Sequence, residues 1–362
     1  SASINWGDGT ASQPDITSGV ISYSATTGIF TVSGAHTYAN VGTYPITVVI
    51  EHFNAFPVTV SSSASIAPVT PTVTVSDAGG TYNGNPFPAT GKAVGVDGTT
   101  AVSGSFTYAY YAGTSTTGTS SATAPTDAGT YTVVATFSSS DPNYTDGTAQ
   151  TIFTINKAAT AFSILAVQQV AVGTGATTVS GQLTSSTIVP FGQSVAITLN
   201  GVTQSASVGA NGAFSVSFAT SALGVGKYTV TYNYAGNINF TAASAIGSLT
   251  VGYGTQLLFN NTKPVHSGAA LPIKLALTDA NGTDISSASI AVTATSLVDA
   301  NGNSVSLKCE GNSNPNGLFR YDHGLGGYIF NLDTKGLAAG TYTLYYTVGN
   351  DATKHSLTFV VD

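Results

Sequence analysis

Apolar and polar residues alternate with a period of two along most of this chain. IFTVS at 29–33, TYPITVVI at 43–50, YTVVATF at 131–137, VAITLN at 195–200, FSVSFA at 214–219, YTVTYNY at 228–234 and TLYYTV at 343–348 each set apolar side chains against Ser and Thr. Such alternation is the mark of a strand with one buried and one solvated face. Between the runs lie clusters of Gly, Asn, Asp and Ser, the residues that make turns. No segment longer than ten residues carries helical spacing, so the predicted fold class is all-β.

Four of the runs open on one step, Gly-x-Tyr: Gly42-Thr43-Tyr44, Gly129-Thr130-Tyr131, Gly226-Lys227-Tyr228 and Gly340-Thr341-Tyr342. The tyrosines lie 87, 97 and 114 residues apart. Each interval is the size of one immunoglobulin-like sandwich, in which a tyrosine at this place buries its ring and bonds backbone near a turn. The spacing predicts four tandem immunoglobulin-like β-sandwich modules in a row, over 1–68, 69–158, 159–252 and 253–362. Tyr44, Tyr131, Tyr228 and Tyr342 are read as structural. The joints, Pro68-Val69-Thr70-Pro71 and Lys157-Ala158-Ala159-Thr160, are short. The first module starts almost inside a strand, at Ser3-Ile4-Asn5-Trp6, and reads as lacking its first strand. In the fourth, the stretch from Cys309 to Gly317 breaks the alternation and is expected to be an exposed loop.

Composition narrows the function classes. The 362 residues are 42% hydrophobic, enough for real cores, yet only 7% are charged. An ordinary globular chain carries about 25%. Net charge is -7 with nine Lys and Arg and no basic cluster, so a nucleic-acid partner is excluded. No apolar stretch is long enough to span a membrane as a helix. Cys309 is the only cysteine, which rules out an intrachain disulfide. It reads as a small buried hydrophobe or as one end of an interchain bridge.

The chemistry-bearing residues do not converge. His36, His52, His266, His323 and His355 are scattered, with no G-x-S-x-G, HExxH or P-loop motif. Asp322 adjoins His323, but neighbours on a strand face opposite ways. No enzyme is expected. Calcium is the one ion with candidate ligands: Asp8 with Asp15, and the alternating Asp299, Asn301 and Asn303. The pattern recurs at Asp279-Ala280-Asn281-Gly282, and its other reading is a glycine turn with an Asx cap. Lys274 is a candidate for a Lys–Asn crosslink. Asn143, Asn239, Asn260 and Asn281 satisfy the glycan-acceptor rule. For sugar stacking the densest aromatic clusters are Tyr108, Tyr110 and Tyr111, then Tyr345 and Tyr346.

Four resemblances to known modules cover nearly all of the chain. Residues Trp6-Gly7-Asp8-Gly9-Thr10, followed by His36-Thr37-Tyr38 and Val41-Gly42-Thr43-Tyr44, resemble a PKD-type module, which implies that Trp6 sits in the core. The second block, with Asp127-Ala128-Gly129-Thr130-Tyr131 and Asp141-Pro142-Asn143-Tyr144, is similar to a bacterial Ig-like module of large surface proteins. The third, through Tyr234-Ala235-Gly236-Asn237-Ile238-Asn239-Phe240, is similar to another such repeat. The fourth resembles a C-terminal module named for P-x-K-F, here Pro272-Ile273-Lys274-Leu275, with Tyr328-Ile329-Phe330-Asn331-Leu332 further on.

These resemblances imply a non-enzymatic extracellular structural or adhesive protein on the cell surface of a bacterium or archaeon. The sharpest form of that expectation is the repeating subunit of a surface filament or layer, joined head to tail. The alternative is a carbohydrate-binding or spacer portion of a secreted hydrolase, or of a long monomeric adhesin whose neighbouring modules flank this piece. The expected partners are copies of the chain, neighbouring modules or surface glycans. No cofactor other than calcium is expected.

Overall fold

The computed structural model describes residues 1–9, 16–166, 168–311 and 313–362. The chain divides into two compact units, Ser1–Asn156 and Lys157–Asp362. Each unit contains four sheets. Among the described residues there is no α-helix, and the one helical turn is a three-residue 3-10 segment, Pro315–Gly317.

The first unit opens with β1 (Ala2–Asn5), β2 (Ile16–Ser18), β3 (Val20–Ser24), β4 (Ile29–Ser33), β5 (Gly42–Ile50) and β6 (Val58–Ile66). One sheet has the order β2-β1-β5-β6, and among the described residues the β3-β4 hairpin is the second layer. Next come β7 (Thr72–Ser76), β8 (Gly80–Thr81), β9 (Thr90–Val94), β10 (Gly104–Ala112), β11 (Gly129–Ser139) and β12 (Gly147–Asn156). They form β10-β11-β12-β8 and the pair β7-β9. Val75 and Ala89 meet Tyr110, Val133, Phe153 and Ile155 between these two layers.

The second unit begins with β13 (Thr160–Ser163), β14 (Gln168–Ala171), β15 (Ala176–Ser185), β16 (Ser194–Leu199), β17 (Val202–Ser207), β18 (Ala213–Ala219), β19 (Gly226–Tyr234) and β20 (Ala243–Gly252). Sheet β13-β15-β18 faces β14-β20-β19-β16-β17, with the Phe162, Phe214 and Tyr232 rings 5.7–5.9 Å apart in the core. It continues with β21 (Gly254–Leu257), β22 (Ala270–Thr278), β23 (Val292–Asp299), β24 (Ser304–Val305), β25 (Arg320–Asp322), β26 (Gly327–Asp333), β27 (Gly340–Val348) and β28 (His355–Val361). Here β21-β22-β26-β25 packs on β24-β23-β27-β28 around one apolar cluster. Ile273, Leu275 and Leu277 alternate inward from β22, each fully buried. At about 1.5–3 kcal/mol per buried side chain, such strands hold the layers together. The result is a chain of four immunoglobulin-like two-layer sandwiches.

The four Gly-x-Tyr strands are β5, β11, β19 and β27. Each pairs antiparallel with the next strand so that its glycine lies opposite Ile66, Ile155, Val251 or Val361. In the first two modules the glycine leaves room for the ring two residues on, whereas Gly226 and Gly340 face open space. A Cβ at Gly42 or Gly129 would come within 3.2 or 3.3 Å of the Tyr44 or Tyr131 ring.

Two expectations change. The stretch from Cys309 to Gly317 is not simply exposed, because Asn314 within it is buried. Its Nδ2 donates to the Leu318 and Ile329 carbonyls, and its Oδ1 accepts the Asn331 N–H at 2.8 Å. One side chain thus satisfies three backbone groups that would otherwise be buried unpaired, which ties the loop to β26. Among the described residues, the first sandwich has fewer strands than the third and fourth by more than one. In the third and fourth, β13 with β15 and β21 with β22 form the layer beside β18 and β26. The first sandwich has no counterpart of either pair among the described residues, because β4 pairs with β3 alone.

Candidate functional site

The tyrosines that open the four strands share one geometry. Each hydroxyl donates to the carbonyl four residues upstream: Tyr44 to Asn40 (2.8 Å), Tyr131 to Asp127 (3.0 Å), Tyr228 to Gly224 (2.9 Å) and Tyr342 to Ala338 (2.9 Å). Tyr342 is buried and the other three are half-buried. Burial pushes the Tyr131 hydroxyl above its ordinary pKa, with the Asp127 charge adding to the rise. Replacing Tyr342 with Phe should therefore cost about 1 kcal/mol, one hydrogen bond with packing kept. Hydrogen exchange of the β27 amides reads this loss, and unchanged rates would show the bond to be idle.

A second recurring arrangement joins each entering linker to the loop before the last strand of the module it enters. Val69 donates its N–H to the Asn143 carbonyl (3.0 Å), and its carbonyl accepts from Thr145 (2.9 Å). Ala158 does the same with Asn239 (2.9 Å) and Thr241 (3.0 Å). Asn143 also reaches back to the first sandwich, accepting the Val41 N–H at 2.8 Å and donating to Asn40 Oδ1 at 3.0 Å. Its amide is thus committed to a contact between modules, which argues against a glycan there.

The fourth module uses side chains for this purpose. Asp351 is buried, and its Oδ2 accepts the Tyr253 N–H at 2.7 Å and lies 2.9 Å from His355 Nε2. Oδ1 accepts the Thr353 N–H at 2.8 Å, and Thr353 Oγ1 lies 2.7 Å from the same Nε2. Burial opposes the Asp351 charge, but these hydrogen bonds outweigh it and hold the carboxyl below its usual range. The trio has the composition of a nucleophilic triad without its wiring. A relay needs the acid on one ring nitrogen and the hydroxyl on the other, whereas Nε2 serves both here. The cluster instead fastens the linker: a Cβ at Gly252 would sit 2.6 Å from Thr353 and 2.9 Å from Asp351. The sequence reading passed over it, although Asp-x-Thr-x-His places all three on one face of an extended segment.

The residues singled out from the sequence are dispersed. Asp8 Oδ2 lies 2.7 Å from His36 Nε2, and that ring stacks on Trp6 at 5.2 Å. Trp6 is half-buried and donates from Nε1 to Thr17 Oγ1 at 2.8 Å. Asp15 lies outside the described residues. Asp299 caps its own turn, with Oδ1 accepting from the Asn301 and Asn303 amides and Oδ2 from Asn303 Nδ2. The Asn303 side-chain bond, followed by its backbone bond, holds the Asp299 carboxyl below the ordinary range. Asp279 caps its turn in the same way through Asn281 and Thr283. No three His, Cys, Asp or Glu residues gather at metal-ligand distance among the described residues. Asp322 accepts from Gly324 and Leu325 and turns away from any relay with His323. Lys274 alternates with the inward Ile273 and Leu275 and so faces away from the core, where a crosslink would form.

The aromatic clusters resolve by face. The hydroxyls of Tyr108 and Tyr110 accept backbone N–H groups of Gly91 and Ala89, so both rings bridge the two layers and are not a sugar platform. In the other pair Tyr346 is buried, while Tyr345 is exposed on the outer face beside Ser296 and Ser356.

The first sandwich leaves several large apolar side chains exposed. Val58 and Val60 share a face with the buried Ala2 and Ile4 through the β1-β5-β6 register, yet both are exposed. Opposite, Ile21, Tyr23 and Phe30 lie on the same hairpin face as Val32, and Phe30 is 70% exposed. Phe53 and Phe56 project from the loop between β5 and β6.

No helix among the described residues is long and apolar enough to cross a membrane. No family model matches the chain, and no curated protein does. Among solved structures it is similar to a tetra-tandem repeat from the extending region of a large adhesion protein, at 16% identity and TM-score 0.32, covering 100% of this chain and 91% of that one. It is similar to a calcium-stabilised adhesin that helps an Antarctic bacterium bind ice, at 15% identity and TM-score 0.26, covering 100% and 90%. It is also similar to titin I67–I69, at 13% identity and TM-score 0.26, covering 82% and 99%. Likeness this distant carries no argument on function, and the sheet topology alone makes the chain a tandem array of immunoglobulin-like sandwiches.

Proposed function

We propose that this chain is a non-enzymatic structural or adhesive repeat protein of the cell surface, with modules bordered near residues 68, 158 and 252. The observation that carries this reading is the repeated fastening of linker to loop at Val69, Ala158 and Tyr253. It places polar groups where a tandem array under tension needs them, at the points where the chain enters a module. The low surface charge and Ser/Thr-rich strand faces suit a protein that works outside the cell among copies of itself. A repeating subunit of a surface filament is the sharpest form of this function.

Single-molecule pulling tests it. The second to fourth modules should unfold in separate force peaks, each releasing about 30 nm of chain for a module of roughly 90 residues. A single featureless extension at low force would overturn the load-bearing role.

A second reading rests on Tyr345. Its exposed ring, flanked by Ser296 and Ser356, is a stacking platform edged with hydroxyls. Sugar binding there is read by glycan-array binding of the chain and its loss in Tyr345→Ala.

A further inference from the structure

We infer that the outer face of the fourth sandwich around Tyr345 binds an acidic sugar, a uronate unit whose ring stacks on Tyr345 and whose carboxylate meets Lys354. The inference rests on the reading of Tyr345 as a sugar platform and adds the class of sugar. Three features that set this module apart coincide there. The first is the ring itself. Five residues after its opening glycine each Gly-x-Tyr strand points outward, and there the four modules have Thr47, Val134, Thr231 and Tyr345. The second is a β-bulge. β5, β11 and β19 meet β1, β10 and β16 in unbroken register. Among the described residues only β27 meets its partner, β23, with a shift, between Ala294 and Ser296. The extra residue, Thr295, donates from Oγ1 to the Tyr345 carbonyl at 3.1 Å. Bulges re-aim side chains, and here both Thr295 and Ser296 are left exposed beside the ring.

The third feature is a free cation. Lys354 is exposed, and among the described residues it has no ion pair or hydrogen bond. It lines the same shallow depression as Tyr345, Thr295 and Ser296, about 560 Å³ in volume and the size of a small-ligand site. None of the lining residues is acidic. Asp351, the nearest acid along the chain, is buried and taken up by Tyr253, Thr353 and His355. On a chain of net charge -7 the depression is thus a locally positive spot. Ser296, Thr347 and Ser356 surround the ring with exposed hydroxyls that have no partner among the described residues. A pyranose presents an apolar C–H face to such a ring and hydroxyls to such a rim, and a uronate adds a carboxylate at its edge. Lys354 stands diagonally from Tyr345, two residues ahead of its neighbour Ser356, a separation of about 7–8 Å that a lysine stem bridges. A neutral sugar would leave the lysine unused, and a plain carboxylate chain would leave the ring unused.

The test titrates the 362-residue chain with oligomers of glucuronate, galacturonate and mannuronate, each beside its carboxyl-reduced, neutral counterpart. At low salt at least one uronate should bind about twofold to fivefold tighter than its reduced form, the gain from one exposed ion pair, and the gain should fade at high salt. Lys354→Gln should remove the difference and leave binding of the reduced form unchanged, whereas Lys354→Arg should keep it. Tyr345→Ala should weaken both forms by about fivefold or more, with unchanged exchange of the β27 amides showing that the module is folded. Equal binding of acidic and reduced forms overturns the acidic class and leaves the sugar platform standing. Binding of none of these oligomers overturns both. A glutamate oligomer that binds as tightly as the uronates and is indifferent to Tyr345→Ala also overturns the inference, because Lys354 would then act alone.

Discussion

Replacing Asp351 with Ala should destabilise the fourth module by about 3–5 kcal/mol, the range for removing one member of a buried polar pair. The substitution strands the N–H groups of Tyr253 and Thr353 and leaves His355 without its carboxylate. The effect should reach beyond the loop, because Tyr253 lies in the linker from the third module. Exchange at the β27 and β28 amides should accelerate together with that of Tyr253. Acceleration confined to 349–354 would show that the cluster closes a turn and does not fasten the linker. The pH dependence has a definite sign. The folded carboxyl titrates below its unfolded value, so its contribution is fully present above about pH 4 and is lost as pH falls through the lower folded pKa. Through this carboxyl the module should weaken in acid, and Asp351→Asn should flatten that acid limb.

Phe330 and Phe30 make a matched pair of substitutions. Both lie on the strand just ahead of a Gly-x-Tyr strand, and both face the sandwich interior. Phe330 is 0% exposed and stacks on Phe319 at 4.9 Å, while Phe30 is open to solvent. Phe330→Ala should cost about 3–5 kcal/mol through lost burial and the cavity left behind. Phe30→Ala in the same 362-residue chain should cost under about 0.5 kcal/mol, as for an ordinary surface position. Urea unfolding followed by exchange in each module reads both, since a four-module chain is not two-state. Equal costs would mean that the first sandwich is already closed in solution.

The strand content and the module count were legible in the sequence because both depend on local, periodic quantities. A period-two pattern states which face of a strand is buried, and the Gly-x-Tyr step marks the same strand in every sandwich. That Tyr345 and Tyr346 face opposite ways follows from alternation alone, although which one is buried does not. What the sequence could not show was how residues far apart along the chain meet. The tie between Asp351 and Tyr253 spans 98 positions, and that between Asn143 and Val41 spans 102. Neither leaves a periodic trace. Asp299 and Asp279 look like metal ligands when read as a list of oxygens, but the tertiary structure turns those oxygens onto their own turn amides. The sequence suggested that the first module was short of a strand from where its first run began. Only the pairing of β4 showed that its outer edge has no partner strand among the described residues, because a missing partner is a property of a sheet edge and not of any residue along it.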